Sequence, residues 1–183
     1  HIPEAVSEDF HALTVLNAIL SGGSAFIVGR GYLTNHTSRL YRALVDEELA
    51  VDIHGSLSPT VDPGLYCIVA TVWPERKPEQ IERRLDAEID HLFQEPVSEE
   101  ELRKAQRQAK ALFAFSSESI THQAFWLGFS SIFADTDWLT SYLTSIERVT
   151  AEDIQRVAQT YLQTTNRTTG WYLAQRQQNQ ESL

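Results

Sequence analysis

The sequence predicts an α+β fold, an antiparallel sheet with helices packed on one face. Three observations predict it. Most of the chain carries apolar residues at helical spacing, a short central stretch changes to a period of two, and Asp62-Pro63-Gly64 places a strong turn between two β-like runs. With 183 residues, 42% of them hydrophobic and 22% charged, the chain has the size and composition of one well-buried globular domain.

The elements follow in order. Ser7 and Asp9 are placed to cap a helix in which Phe10, Leu13, Leu16, Ile19 and Leu20 recur, and Ser21-Gly22-Gly23 ends it with glycine at a left-handed C-cap. A Gly-rich stretch follows, Ser24 to His36. Its Gly29-Arg30-Gly31 lacks the flanking strand and third glycine of a dinucleotide fingerprint. Thr37 then caps an amphipathic helix with apolar positions at Leu40, Tyr41, Leu44, Val45 and Leu49. From Val51 the period is two: Val51, Ile53 and Leu57 face one way, and Asp52, His54 and Ser56 the other. Leu65 to Trp73 reads as a well-buried strand, with the single Cys67 inside it as a core thiol.

Pro78 suits the first position of a helix striped by Ile81, Leu85, Ile89 and Leu92. Ser98 and Glu101 form a capping box ahead of Leu102, Ala105, Ala109, Leu112 and Phe113. The span from Phe125 to Tyr142, holding Trp126, Phe129, Phe133 and Trp138, reads as helical core. Thr150 with Asp153 opens a last helix through Ile154, Val157, Ala158, Tyr161 and Leu162. Arg167 to Ala174 reads as a final strand, and Gln175 to Leu183 as a frayed polar tail.

A net charge of -10 argues against nucleic acid as a partner, because a phosphate backbone demands a basic surface. The acidity suits a basic peptide or protein partner, or solubility alone. No apolar stretch approaches the roughly 18 residues needed to span a bilayer, so no membrane span is predicted. The chain opens on His1 and contains no methionine, and is expected to begin inside a longer reading frame. It reads as soluble, with the cytoplasm, the periplasm and an organelle all open to it.

The order of these segments resembles the homology domain of the M16 zinc peptidases, the pitrilysin, insulinase and mitochondrial processing peptidase group. The resemblance rests on Asp9 to Leu20 with Gly22-Gly23, then Ser38-Arg39-Leu40-Tyr41, then Asp62 to Leu65. It continues through Pro96-Val97-Ser98-Glu99-Glu100-Glu101-Leu102 to Ala105, and Val149-Thr150-Ala151-Glu152-Asp153 to Tyr161-Leu162. It implies the metallohydrolase half-domain fold for residues 1–174, followed by the tail at 175–183. It also implies a first strand upstream of His1, and so a sheet edge left open here. About a dozen residues, Ser24 to His36, stand where members of that group have very few, and such a loop can reach a partner.

That group binds zinc through His-x-x-Glu-His on a helix plus a distal Glu. The motif is absent. Glu88 and His91 lie one helical turn apart and could in principle share an ion, but a solvated acidic helix face accounts for them far better. No metal site is predicted in this chain, and by the resemblance Zn2+ belongs to a partner half. In the metal-free half of active members an Arg and a Tyr reach the substrate. Val45 and Val51 occupy the nearest positions here, and neither can donate a hydrogen bond to a developing oxyanion. Arg39, Arg42 and His54 are the remaining candidates for a substrate- or partner-facing role. Arg39 and Arg42 near the start of their helix, and Asp46, Glu47 and Glu48 near its end, oppose the helix dipole at about 0.3–1 kcal/mol each.

The expected function is therefore the non-catalytic half of an M16-type zinc endopeptidase, inactive alone. It would wall a peptide chamber against a metal-bearing half supplied by the same polypeptide or a separate subunit. The alternative is a structural or interaction protein on the same fold.

Overall fold

The computed structural model describes residues 1–23 and 36–173. The Gly-rich stretch from Ser24 up to His36, and the polar tail, lie outside the described residues. Among those described, the order is α1 (Asp9–Ser21), a π-helical turn (Tyr41–Val45), β1 (Ala50–Ser56), β2 (Cys67–Val72), α2 (Pro78–Gln94), α3 (Glu99–Ser116), α4 (Ile120–Phe133), α5 (Thr136–Arg148), α6 (Ala151–Tyr161) and a 3-10 turn (Thr164–Asn166). The α+β class holds, with helices gathered on one side of an antiparallel pair.

Helix α1 is the hub. Every residue from Phe10 to Ser21 except His11 is buried, as expected of a helix apolar nearly all round, and it packs on α3, α5, α6 and β1. Its few polar groups are served locally: Thr14 Oγ1 donates to Phe10 O at 3.0 Å, and Ser21 Oγ donates to Asn17 Oδ1 at 2.6 Å. Gly22 (φ 93°) and Gly23 (φ 80°) end it, their N–H groups donating to Ala18 O and Asn17 O. The capping differs in detail from the sequence reading. Ser7 Oγ accepts from the Asp9 N–H, while the Asp9 carboxylate receives Arg156 at 2.7 Å and the Tyr161 hydroxyl at 2.8 Å. Asp9 thus fastens α6 to α1.

The sheet is the β1–β2 pair, with Ile53 opposite Ala70 and Ser56 opposite Cys67. Three expectations change here. A register irregularity between Ala50 and Asp52 turns Ala50 inward and leaves Val51 44% exposed, so Val51 does not share a face with Ile53. The buried set becomes Ala50, Ile53, Gly55 and Leu57. Strand β2 is not well buried: Cys67, Val69 and Thr71 are exposed and only Ile68, Ala70 and Val72 are covered in part, since among the described residues no helix covers its outer face. Cys67 is accordingly an exposed thiol and not a core one. Finally, residues 167–173 form no strand; the chain leaves the 3-10 turn extended, tied to α2 by Arg167 with Asp86 and Glu82.

The helices otherwise follow their stripes. Ile81, Ile89 and Leu92 of α2, Leu102, Ala105 and Ala109 of α3, and Ile154, Val157 and Ala158 of α6 are buried. The Thr150–Asp153 capping box is complete. The aromatic span is broken at Ala134-Asp135 into α4 and α5. Trp126 and Phe133 are buried, but Phe125, Leu127 and Ile132 are exposed, so part of it is surface and not core.

Candidate functional site

The segment from Ser38 to Leu49 begins helically and then widens. The N–H of Asp46 donates to Tyr41 O at 3.2 Å and that of Leu49 to Leu44 O at 2.9 Å, the five-residue spacing of a π turn. The expected amphipathic α-helix is therefore a short mixed turn. Leu40, Ala43 and Leu44 are buried, and Tyr41, Val45 and Leu49 are half-buried against the same core. Helix formation stops at the acidic run. Glu48 takes a left-handed conformation (φ 55°), and its carbonyl accepts from Arg76 Nε at 3.0 Å. With so little helix, the misplaced charges oppose almost no dipole.

What this turn presents is an ion-paired wall. Arg39 grips Glu101 through two parallel bonds, Nε to Oε1 at 2.8 Å and Nη2 to Oε2 at 2.7 Å, with the two side chains 12% and 23% exposed. The Glu101 carboxylate holds the guanidinium above its ordinary pKa. Arg39 Nη1 is buried without a hydrogen-bond partner. The bond explains why only half of the predicted capping box forms: Ser98 Oγ accepts from the Glu101 N–H at 3.2 Å, but the Glu101 side chain is spent on Arg39. Next to this pair, Arg84 of α2 takes Glu47 at 3.0 Å and Glu88 at 2.6 Å. Arg84 in turn holds the Glu47 carboxyl below its usual range. A cavity of about 660 Å³ lies among these groups, with Arg42, Lys104 and Gln108 on its walls. Its lining is charged on both signs. It suits a polar, extended surface more than a small apolar ligand.

The sequence-derived candidates divide. Arg39 and Arg42 line this cavity together; Arg39 is committed to Glu101, whereas Arg42 is exposed. His54 sits apart on β1, its Nδ1 3.8 Å from the Asp52 carboxylate. Val45 packs on the core and Val51 is turned out by the bulge, so they do not converge on the cavity. The sequence reading missed Arg84 and Glu101 as wall residues. Their spacing advertised helix stabilisation, and only the fold brings Arg39 to a residue 62 positions away.

A zinc ion does not fit the described residues. Glu88 is engaged by Arg84, and His91 lies 3.3 Å from Glu95, so the Glu88–His91 pair is not assembled. Among the described residues no group of three or more His, Cys, Asp or Glu side chains is placed to hold a metal, and no helix is long and apolar enough to cross a membrane.

The family model described as the peptidase M16 inactive domain matches residues 1–109. No curated protein matches the chain. Among solved structures, the chain resembles the inactive peptidase domain of a candidate zinc protease from Bordetella parapertussis, with a TM-score of 0.84 and 26% identity over 100% of this chain and 91% of that one. It also resembles a candidate zinc protease from Bordetella pertussis Tohama I, with a TM-score of 0.80 and 27% identity over 96% of this chain and 90% of that one. A protease from Helicobacter pylori shares the fold, with a TM-score of 0.78 at 24% identity. There this chain, 90% covered, spans only 37% of the other.

Proposed function

The chain belongs to the peptidase M16 inactive-domain family, and from that premise we propose that it is the metal-free half of an M16-type zinc endopeptidase. In this reading a metal-bearing half, in the same polypeptide or a separate subunit, performs the hydrolysis, and the present domain forms the facing wall of a peptide chamber. The observation that carries the reading is the family match, which runs through the Ser38–Leu49 turn and both strands, taken with the likeness to an inactive peptidase domain over the whole chain.

The wall has a physical candidate. The cavity beside the Ser38–Leu49 turn is organised by the Arg39–Glu101 and Arg84–Glu47–Glu88 ion pairs, which fix its shape, while Arg42 stands exposed at its edge. In the wall role Arg39 positions the turn and Arg42 meets the peptide. No zinc-dependent step is assigned to any residue of this chain; metal, when bound, resides in the partner half and supplies the activated water.

The test is reconstitution. The isolated domain is expected to bind no stoichiometric zinc and cleave no unfolded peptide, and zinc-dependent cleavage is expected once a metal-bearing half is supplied. Arg42→Ala should then raise KM severalfold with the fold intact. Zinc-dependent proteolysis by the domain alone would overturn the proposal, as would full cleavage by the metal-bearing half without it. A second reading, a structural subunit without proteolysis, is favoured by Val45 and Val51, which offer no hydrogen-bond donor from their side chains. No cleavage when a metal-bearing half is supplied would favour it further, whereas unchanged KM and kcat in the Arg42 variant would remove Arg42 from the wall role.

A further inference from the structure

Helix α4 is apolar on both sides and covered on one. Its inner stripe, Trp126, Ser130 and Phe133, is buried, and among the described elements it packs mainly on α5. Its outer face carries Ile120 (85% exposed), Ala124, Phe125, Leu127, Gly128 and Ile132 (69% exposed). A helix that is apolar all round is ordinarily enclosed. From Ser119 to Ala134 there is no Asp, Glu, Lys or Arg, in a chain of net charge -10. Gly128 stands within this bare face. Glycine weakens a helix interior, and a Cβ added there would meet nothing within 4 Å, so no packing among the described residues calls for it.

We propose that two copies of this chain associate through this face, α4 against α4 in antiparallel register about a two-fold axis. The pattern of the face is its own complement. Ile120, Ala124, Gly128 and Ile132 form one i, i+4 ridge that reads large-small-small-large. Its midpoint falls at the level of Trp126, whose side chain is buried on the opposite side of the helix. An antiparallel pair centred there sets Ile120 of one copy against Ile132 of the other, Ala124 against Gly128, and Phe125 against Leu127. Each contact then recurs by symmetry, as an isologous interface requires. The small residues let the two backbones approach at the centre, and the isoleucines close the ends. Charge points the same way: two acidic chains repel wherever their acids meet, and this face brings them together without burying a charge. No residue of the ion-paired wall takes part, so the chamber reading stands or falls separately.

Sedimentation equilibrium of this protein between about 1 and 100 μM is expected to show a reversible dimer of twice the 20.8 kDa chain mass. Gly128→Gln fills the close centre while improving helix propensity, so association should weaken by about tenfold or more with Tm unchanged or raised. Ile120→Lys and Ile132→Glu should each weaken the dimer, and the double variant should associate more tightly than either, because each Lys then meets a Glu of the other copy. Within one chain those two positions are roughly 18 Å apart along the helix and cannot pair. A monomer at every concentration, a dimer indifferent to Gly128→Gln, or a double variant no tighter than the single ones would each overturn the proposal. So would displacement of the dimer by an added metal-bearing half in a complex that Gly128→Gln blocks, which would assign the face to that half.

Discussion

Breaking the Arg39–Glu101 pair should reveal an asymmetry that its geometry dictates. The guanidinium is 12% exposed and has no other partner for the two nitrogens it gives to Glu101, whereas the carboxylate is 23% exposed and stands at the third position of α3. Removing Glu101 leaves a nearly buried cation unpaired, which costs about 3–4 kcal/mol. Removing Arg39 leaves a carboxylate that can turn back to the Ser98 N–H, complete the capping box and sit favourably on the helix dipole, so the net cost falls to about 2 kcal/mol. Two bonds to charged groups, each about 1.5–3 kcal/mol net where fully buried, would be non-additive on one ion pair, and partial exposure brings the coupling energy down to about 2 kcal/mol. A double-mutant cycle of Arg39→Met and Glu101→Ala, read by urea unfolding at low salt and at about 0.5 M salt, measures all three quantities. The stem of Met preserves the packing of Arg39. A coupling below about 0.5 kcal/mol, or an Arg39 variant less stable than the Glu101 variant, would refute the argument.

Other consequences follow from single groups. Burial among Phe10, Trp138 and Tyr142 lowers the His11 pKa from 6.5 to about 4. The unfolded chain then binds the proton first as pH falls, so the neutral folded form is favoured fully above pH 6.5 and progressively less down to about 4. The contribution of His11 should shrink by about 2 kcal/mol between pH 7.5 and pH 5. His11→Phe should remove that difference in paired urea titrations, and parallel pH curves for the two proteins would rule it out. Glu48→Gly relieves a left-handed conformation that costs a side-chain-bearing residue about 1–2 kcal/mol, against about 0.5–1 kcal/mol of added chain entropy, so a small gain in Tm is expected. A clear loss would count against strain at that turn. Gly55→Ala should destabilise by about 2 kcal/mol or more, because the new methyl meets Ser21 Oγ at 2.5 Å and Asn17 Oδ1 at 2.6 Å. A variant of native stability would show that those side chains can move aside.

Much of the fold was legible because it is written in local, redundant signals. The stripe of α2, the cap at Ser98, the box at Thr150 and Asp153, and the glycines after α1 each specify their element from within a few residues. The failures have physical causes of the opposite kind. Val51 obeys the period of two, but a bulge resets the phase of the strand, and a bulge leaves no mark in an apolar pattern. Cys67 stands in an apolar run that resembles a doubly covered strand; covering depends on whether a helix crosses the outer face, which is a tertiary fact. Arg167 to Leu173 has strand-like composition but nothing described beside it to pair with, and its Arg167 is held by α2 instead. At the candidate wall, Arg39 and Arg42 stood out as misplaced charges, yet Arg84 and Glu101 reach them from other helices and looked ordinary in their own segments.

Gly55 carries one more implication. Its Cα lies so close to α1 that Asn17, Ser21 and the Tyr66 hydroxyl, which donates to Asn17 Oδ1 at 3.1 Å, fill the space where a side chain would be. A slip of β1 by one residue would drive His54 or Ser56 into that polar knot. The helix therefore reads the strand's register, and the strand in turn holds the helix's depth. A two-stranded ribbon has little stability of its own in water. The sheet and α1 should then form and melt as one cooperative unit, with no stage at which the ribbon stands alone.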